Sequence, residues 1–513
     1  MEQFPKFGVL ETGSSLGDDL EAGSPDIYTR HPSLSPGRKG AEEKPHARDV
    51  NIVDFDGPDD PENPLNWPAA RKNLAIAVIA IITFLSSFAS TIISPCVGDV
   101  MNEFGSTNGV LAAFVTSVYL FGYAFGPLVI APLSEMYGRA IIYGSCIILF
   151  LIFNAACALA HSLGVLIGLR LLAGIAGSCP LTVGAASIAD MFPRERRGRA
   201  MAAWVLGPLL GPTIAPIIGG YLAPVMGWRW GFWVVVLLTA IPMIFTLSMR
   251  ESYAYVILKH KTQRIQKETR NENLRSALDT GKTSKDLFIF SIARPIKMLF
   301  MSPIVLLLSI YAATVYGYVF IFFTTLPRVF EDRYGFSKGP TGLAYLGIGI
   351  GMVLGLLFAG AVLDRLLLHL AEKKGGNPLP EYRLPVLILS AFLVPIGLFW
   401  YAWTAELMEP WIIPIIGSGV LGAGMIINFM SISTYLVDAY TTYAASAVAA
   451  ATVLRSLLGA LLPLAGNRMF DTLGVGWGVS VMGFIAVAFI PMPFILYFYG
   501  RRIRESKLFR VEF

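Results

Sequence analysis

Twelve apolar runs, each close to 20 residues long, decide what this 513-residue chain can be. They lie near 74–97, 110–133, 141–160, 164–188, 200–222, 228–249, 303–326, 340–363, 384–403, 411–437, 444–465 and 476–499. A run of that length crosses bilayer hydrocarbon as a helix, which satisfies its own backbone where no water can. The expected fold is an all-α membrane protein with twelve transmembrane helices in two six-helix halves, 71–249 and 303–500. Composition agrees: 55% of residues are hydrophobic and 15% charged, where a soluble domain carries about a quarter.

The flanking segments differ in kind. Residues 1–70 are rich in Pro, Gly, Ser, Asp and Glu, with no apolar run, and are expected to form a disordered cytosolic tail. They carry no basic-then-apolar signal peptide, so the first span must serve as the insertion signal. Segment 250–302 holds 11 basic and five acidic residues and reads as a solvated cytosolic linker. Its end, Leu287 to Phe300, mixes apolar and basic groups and is expected along the membrane surface. Residues 501–513 form a basic tail.

Charge sets the orientation. With the amino terminus inside, inner segments near the helices hold 27 Lys and Arg and the outer loops five; without the long linker the ratio is still 16 to five. Both termini are therefore expected in the cytosol. The net charge of +5 then reflects topology and anionic inner-leaflet lipid, and no nucleic-acid partner is implied.

Several chemistries are argued against. The four cysteines (Cys96, Cys146, Cys157, Cys179) fall in or beside spans without a pairing pattern, so neither disulfide nor metal is expected. The five histidines are scattered through loops and the tail, which speaks against an enzyme. Gly281-Lys282-Thr283 lacks the first glycine of a phosphate loop, with Ser276 in its place, and no cofactor is expected.

Helix 5 contains Gly207, Gly211, Ala215 and Gly219 at four-residue spacing, three of them followed by Pro208, Pro212 and Pro216, and then Gly220. Small residues every four positions let another backbone approach closely. Helix 8 carries Gly347, Gly351 and Gly355 in the same spacing, so the two stripes are expected to pack face to face across the halves. Helices 1 and 7 start about 229 residues apart, an offset that carries Glu135 onto Asp364. A six-plus-six repeat is the mark of a transporter whose substrate, a small molecule, binds between halves.

These residues resemble the major facilitator superfamily, and within it the fungal-type drug:proton antiporters with twelve spans. The likeness runs from about residue 60 to the end. Pro132-Leu-Ser-Glu135-Met-Tyr-Gly138-Arg139 is similar to the first signature, with Glu135 where Asp is usual and Ala140 where a basic residue is usual. The stretch around Arg170 is similar to the second. Helix 5, ending Ala215-Pro216-Ile-Ile-Gly219-Gly220, is similar to the antiporter signature, with Ala215 replacing its glycine. Leu454-Arg455-Ser456 matches in helix 11, where Ala451 stands in place of a common Asn. The resemblance implies proton-coupled efflux of small amphipathic compounds by alternating access, from a monomer in the plasma membrane, with the proton gradient as energy source. The alternative is a proton-coupled nutrient or sugar importer. Against it, neither the sixth nor the twelfth span is followed by the Pro-Glu-Ser or Pro-Glu-Thr motif of sugar porters.

Candidate sites follow. Arg170 lies mid-bilayer, where an uncompensated charge costs several kcal/mol. Its expected acceptor is the carbonyl of Thr91, freed by Pro95, with Asp99 as second choice. Arg455 and Asp190 complete the candidates for coupling. The resemblance makes Glu135, Gly138, Arg139 and Asp364 a cytosolic gate, with Glu135 facing the start of helix 11 and Arg139 paired to Asp190. Tyr119, Tyr123, Trp204, Tyr316, Phe320, Phe323, Tyr345, Asn428 and Phe429 are candidates for a greasy cavity. No Asp or Glu lies deep in any span, so neutral or weakly charged substrates are expected rather than polycations.

Overall fold

The computed structural model describes residues 51–57, 59–193, 197–279, 284–373, 379–440 and 444–505. Among them twelve helices are long and apolar enough to cross a membrane. We number them as spans 1 to 12: Ala69–Glu103, Gly109–Tyr137, Arg139–Ala158, Leu163–Met191, Ala200–Met226, Arg229–Leu247, Pro303–Asp332, Lys338–Lys373, Pro380–Glu406, Ile412–Ala439, Ser446–Gly466 and Arg468–Arg504. Most reach beyond the apolar runs, because polar caps and charged turns extend a helix past the hydrocarbon. Asn108 caps span 2 through the amide of Val110 at 2.9 Å, and Ser162 caps span 4 through that of Val165. Helix continues from span 11 into span 12 over Ala444–Phe489, with a break at Gly474 (φ 74°), six residues into span 12. Arg468, expected in an outer loop, therefore lies in helix.

The described residues before span 1 and after span 12 lie on one side of the bundle, here called the terminal face; the other is the far face. Packing repeats between the halves. Span 1 pairs with 5, 2 with 4 and 3 with 6; in the second half 7 pairs with 11, 8 with 10 and 9 with 12. Across the halves, span 2 meets span 11 and span 5 meets span 8.

Span 1 is not one helix. It is α-helical over Ala69–Thr91, tightens to a 3-10 turn over Ser94–Cys96 and resumes over Val97–Glu103. Pro95 cannot donate to a carbonyl four residues back, so the helix stops inside the membrane.

Order at the amino-terminal side begins before the boundary drawn at residue 70. Residues 1–50 lie outside the described residues, but Ile52–Val53 form a strand parallel to Arg275–Ser276 of the linker. The linker itself is folded rather than merely solvated: a helix spans Ala254–Thr269, and a second, Ser284–Met301, packs against spans 2 and 11. Lys261 on the first helix is buried and pairs with Asp56 at 2.8 Å and Asp60 at 3.4 Å. Asp60 also accepts from the amides of Asp56 (2.7 Å) and Glu62 (2.8 Å). The Asp56 amide first, then that of Glu62 and Lys261, hold the Asp60 carboxyl below its usual range against the opposing effect of burial.

A depressed carboxyl stabilises the fold above its unfolded pKa and loses that effect as pH falls through the folded one. Amide exchange at Arg275 and Ala277, which donate to Asn51 and Val53 at 2.7 and 2.9 Å, taken relative to the free-peptide rate at each pH, should therefore stay slow at neutral pH and quicken below about pH 4. Lys261→Met should quicken it at neutral pH, while the spans stay protected.

Candidate transport site

Arg170 sits in span 4 and is 1% exposed. Its guanidinium donates to the carbonyls of Ser90 (2.7 Å), Ala89 (3.3 Å) and Thr116 (3.4 Å), tying span 4 to spans 1 and 2. It also lies over the rings of Tyr119 and Phe232, at 5.4 and 5.7 Å. The expected tie to span 1 is present, but through different carbonyls. Because the helix ends at Thr91, its last turn lacks intrahelical donors, and Ala89 and Ser90 present theirs toward span 4. Thr91 turns the other way, its hydroxyl donating to the Pro212 carbonyl at 2.9 Å. That carbonyl is the one Pro216, lacking an N–H, leaves open. Asp99 is not the partner of Arg170; it pairs with Lys338 of the other half.

The two glycine stripes do not face each other, contrary to the expectation. A Cβ at Gly207 would lie 2.8 Å from the Phe84 amide nitrogen and one at Gly211 2.7 Å from that of Phe88; Gly219 abuts the Ile92 carbonyl and Ala215 is fully buried. All of that stripe seats span 1. Gly347, Gly351 and Gly355 in turn seat span 10, against Ile415, Gly419 and Ala423. Spans 5 and 8 do meet, by other faces: Thr213 against Gly349, Pro216 and Ile217 against Gly342, and Gly220 against Lys338. With Pro208 and Pro212, the antiporter stretch thus serves two contacts, one within its half and one across. The far face is sealed further by Asp99 with Lys338 and by the Ser94 hydroxyl on the Phe323 carbonyl at 2.7 Å.

At the terminal face Arg139 donates to Asp190 at 3.3 Å and to the Ser134 hydroxyl at 2.6 Å, and lies 4.4 Å from the Tyr253 ring. Gly138 (φ 98°) makes the turn between spans 2 and 3. Glu251 was not singled out from the sequence. Its carboxylate accepts from the amides of Arg139 (2.9 Å) and Ala140 (3.1 Å), capping span 3 where a helix start favours an anion. It is the first acidic residue after span 6, which is the signal that could have found it. In the second half Arg383, also not singled out, bridges Asp364 (2.9 Å) and Asp438 (2.5 Å), and Glu381 takes Arg504 at 3.2 Å. Asp364 is thus tied within its own half. Glu135, expected to face the start of helix 11, is half-buried at the end of span 2; residues 441–443, which lead into that helix, lie outside the described residues.

Of the nine cavity candidates, seven (Tyr119, Tyr123, Tyr316, Phe320, Phe323, Tyr345 and Phe429) fall in one apolar cluster, and Trp204 packs in another. Tyr119 and Tyr123 are buried on Ser86. Trp204 donates to the Pro180 carbonyl, inside the first half. Tyr316, Phe320, Phe323 and Tyr345 form a ladder with successive ring centroids 4.9, 5.4 and 5.6 Å apart. Asn428 is 1% exposed. Only Tyr316 and Phe429 are brought together around a charge, that of Arg455. A small cavity of about 20 Å³ lies between spans 1, 3, 4 and 6, around Ser86, Tyr143, Phe150 and Thr239.

The relocated stripe changes what mutations should do. Gly211→Leu drives a side chain into the backbone of span 1 and should lower yield and thermal midpoint together with transport. Gly342→Leu strikes Pro216 and Ile217 across the halves; yield should stay near wild type while transport falls more than tenfold. Expression and efflux measured side by side check both.

The geometry agrees with the comparisons. The family model for the Major Facilitator Superfamily matches residues 79–463. The chain is 56% identical to the MFS-type transporter penM of Penicillium rubens, over 97% of this chain and 96% of that one. It is 46% identical to the efflux pump radE of Floropilus chiversii (91% and 88%) and 46% to the MFS transporter cpaT of Aspergillus oryzae (95% and 99%). Among solved structures, the E. coli xylose transporter XylE in a partially occluded, inward-open conformation matches with a TM-score of 0.62, at 16% identity, over 82% of this chain and 97% of that one. The chain is a multi-pass membrane protein and belongs to the major facilitator superfamily.

Proposed function

We propose that this chain is a secondary active transporter that exports small amphipathic compounds against an inward flow of protons, by alternating access between its halves. The observation that carries the reading is the division of contacts. Each half is held by its own span pairs, and the halves meet along two seams, span 2 with 11 and span 5 with 8, with an ion pair and a hydroxyl added at the far face. Two halves that meet along separate seams closed by partable polar ties are what alternation requires. The relatives named as efflux pump and transporters support the direction. Both halves belong to one chain, so a monomer suffices. We place its termini in the cytosol and the protein in the plasma membrane, from the charge bias and the family likeness.

In the far-face-sealed state, Asp99 and Lys338 hold the halves together, while Arg139, Asp190 and Glu251 set the turn between spans 2 and 3. Opening the far face requires the Asp99–Lys338 pair to part and span 5 to slide from span 8. Arg170 answers to events near span 1, since its acceptors are carbonyls of a broken helix and not a fixed carboxylate.

Efflux should collapse when an uncoupler dissipates the proton gradient and persist under ATP depletion at a held gradient; transport restored to de-energised vesicles by ATP alone would refute the coupling. Arg170→Lys should lose more than tenfold in initial rate, because one ammonium cannot reproduce a planar fork on three carbonyls. Unchanged helicity with lost efflux is the expected pair of readings.

A further inference from the structure

Two arginines lie in the middle of the membrane, and their surroundings are unlike. Arg170 has three carbonyl acceptors. Arg455 on span 11 has its guanidinium carbon 4.8 Å from the ring centroid of Tyr316 (span 7) and 4.5 Å from that of Phe429 (span 10). Ring faces attract the charge but provide no lone pair for its N–H groups. Like that of Arg170, its Nε is buried without a hydrogen-bond partner, but among the described residues no carbonyl or carboxylate takes its other N–H groups.

The acids that might serve are distant or engaged. Asp438 is held by Arg383, and Asp471 by Arg328. Glu331, at the far end of span 7, stands 15 residues beyond Tyr316, or about 22 Å along a helix. Arg455 itself is about 16 Å into its helix from Ala444, near the middle of an apolar core of about 30 Å.

The residue is also reachable. It keeps part of its surface exposed. Gly459, one turn on along the same helix face, packs on Tyr316 and on Leu120 of span 2. That face of span 11 therefore looks across the boundary between halves, where a substrate would pass. A guanidinium left without an acceptor there is costly unless its counter-charge comes from outside the chain.

We propose that the Arg455 guanidinium, held against Tyr316 and Phe429, binds the carboxylate of an amphipathic organic acid, and that such acids are a class of compound the chain exports. A carboxylate matches the planar N–H fork bidentately and neutralises one charge with one. A phosphate would bring a second charge to desolvate, with no second cation among the described residues beside Arg455. Leu120, Leu458 and Leu462 around this turn suit the apolar body of the same molecule. The inference rests on the export reading and gives it a substrate class.

The test uses the full chain in phosphatidylcholine nanodiscs, with 1-pyrenebutyrate and its methyl ester as probes and tryptophan quenching as readout. Wild type should bind the acid about tenfold more tightly than the ester. Arg455→Gln should remove that preference, with a thermal midpoint equal to or above wild type because an unpaired charge is gone. Arg455→Lys should keep part of the preference. Equal affinities in wild type, no binding of the acid, or a preference surviving in Arg455→Gln would each overturn the proposal. Proton-driven movement of the ester in proteoliposomes reports separately on export. Movement without acid preference would sink the anion anchor and leave export standing. Preference without movement of either compound would sink export and leave Arg455 an anion site.

Discussion

The structure depends on a helix that stops in the middle of a membrane. Span 1 ceases to be α-helical at Thr91 because Pro95 withholds a donor, and hydrocarbon contains no water to fill the gap. Its carbonyls must be met by the protein, and their partners organise the first half. Arg170 reaches Ala89 and Ser90 from span 4, and the Thr91 hydroxyl meets a carbonyl that a second proline opened in span 5. Three residues on, Ser94 crosses to the other half. One break thus positions the mid-membrane charge, the antiporter stretch and a contact between halves.

The two halves share a packing plan and differ in their chemistry. Each half pairs its spans alike, and each closes its terminal face with an arginine at the start of its third helix held by an aspartate at the end of its fourth: Arg139 with Asp190, Arg383 with Asp438. The mid-membrane arginines break the symmetry, since one is on the fourth span of its half and the other on the fifth. The arginine held by carbonyls strengthens a rigid half; the one held by rings faces the boundary between them.

Much of this was legible in the sequence, and the exceptions share a cause. The twelve spans and the tie from Arg170 to span 1 follow from hydropathy and the donor a proline removes, and the Arg139–Asp190 pair from the family resemblance. Where the glycine stripes would land did not follow: a four-residue spacing shows that a backbone comes close, not whose. The nine aromatic and polar candidates were chosen by type, and residue type does not distinguish a ring buried on Ser86 from one set against Arg455. Glu251 and the ordered stretch before span 1 escaped because their partners are more than 100 residues away in sequence, and neither lies in a hydrophobic pattern.

The strand pairing of Ile52–Val53 with Arg275–Ser276 has a consequence for how the chain is made. It joins the residues just before span 1 to residues just after span 6, so the first six spans are enclosed in a loop fastened at its neck. The fastening partner emerges from the ribosome before any of span 7. The first half can therefore close on itself while the second is still being synthesised, and the later spans insert beside a finished neighbour.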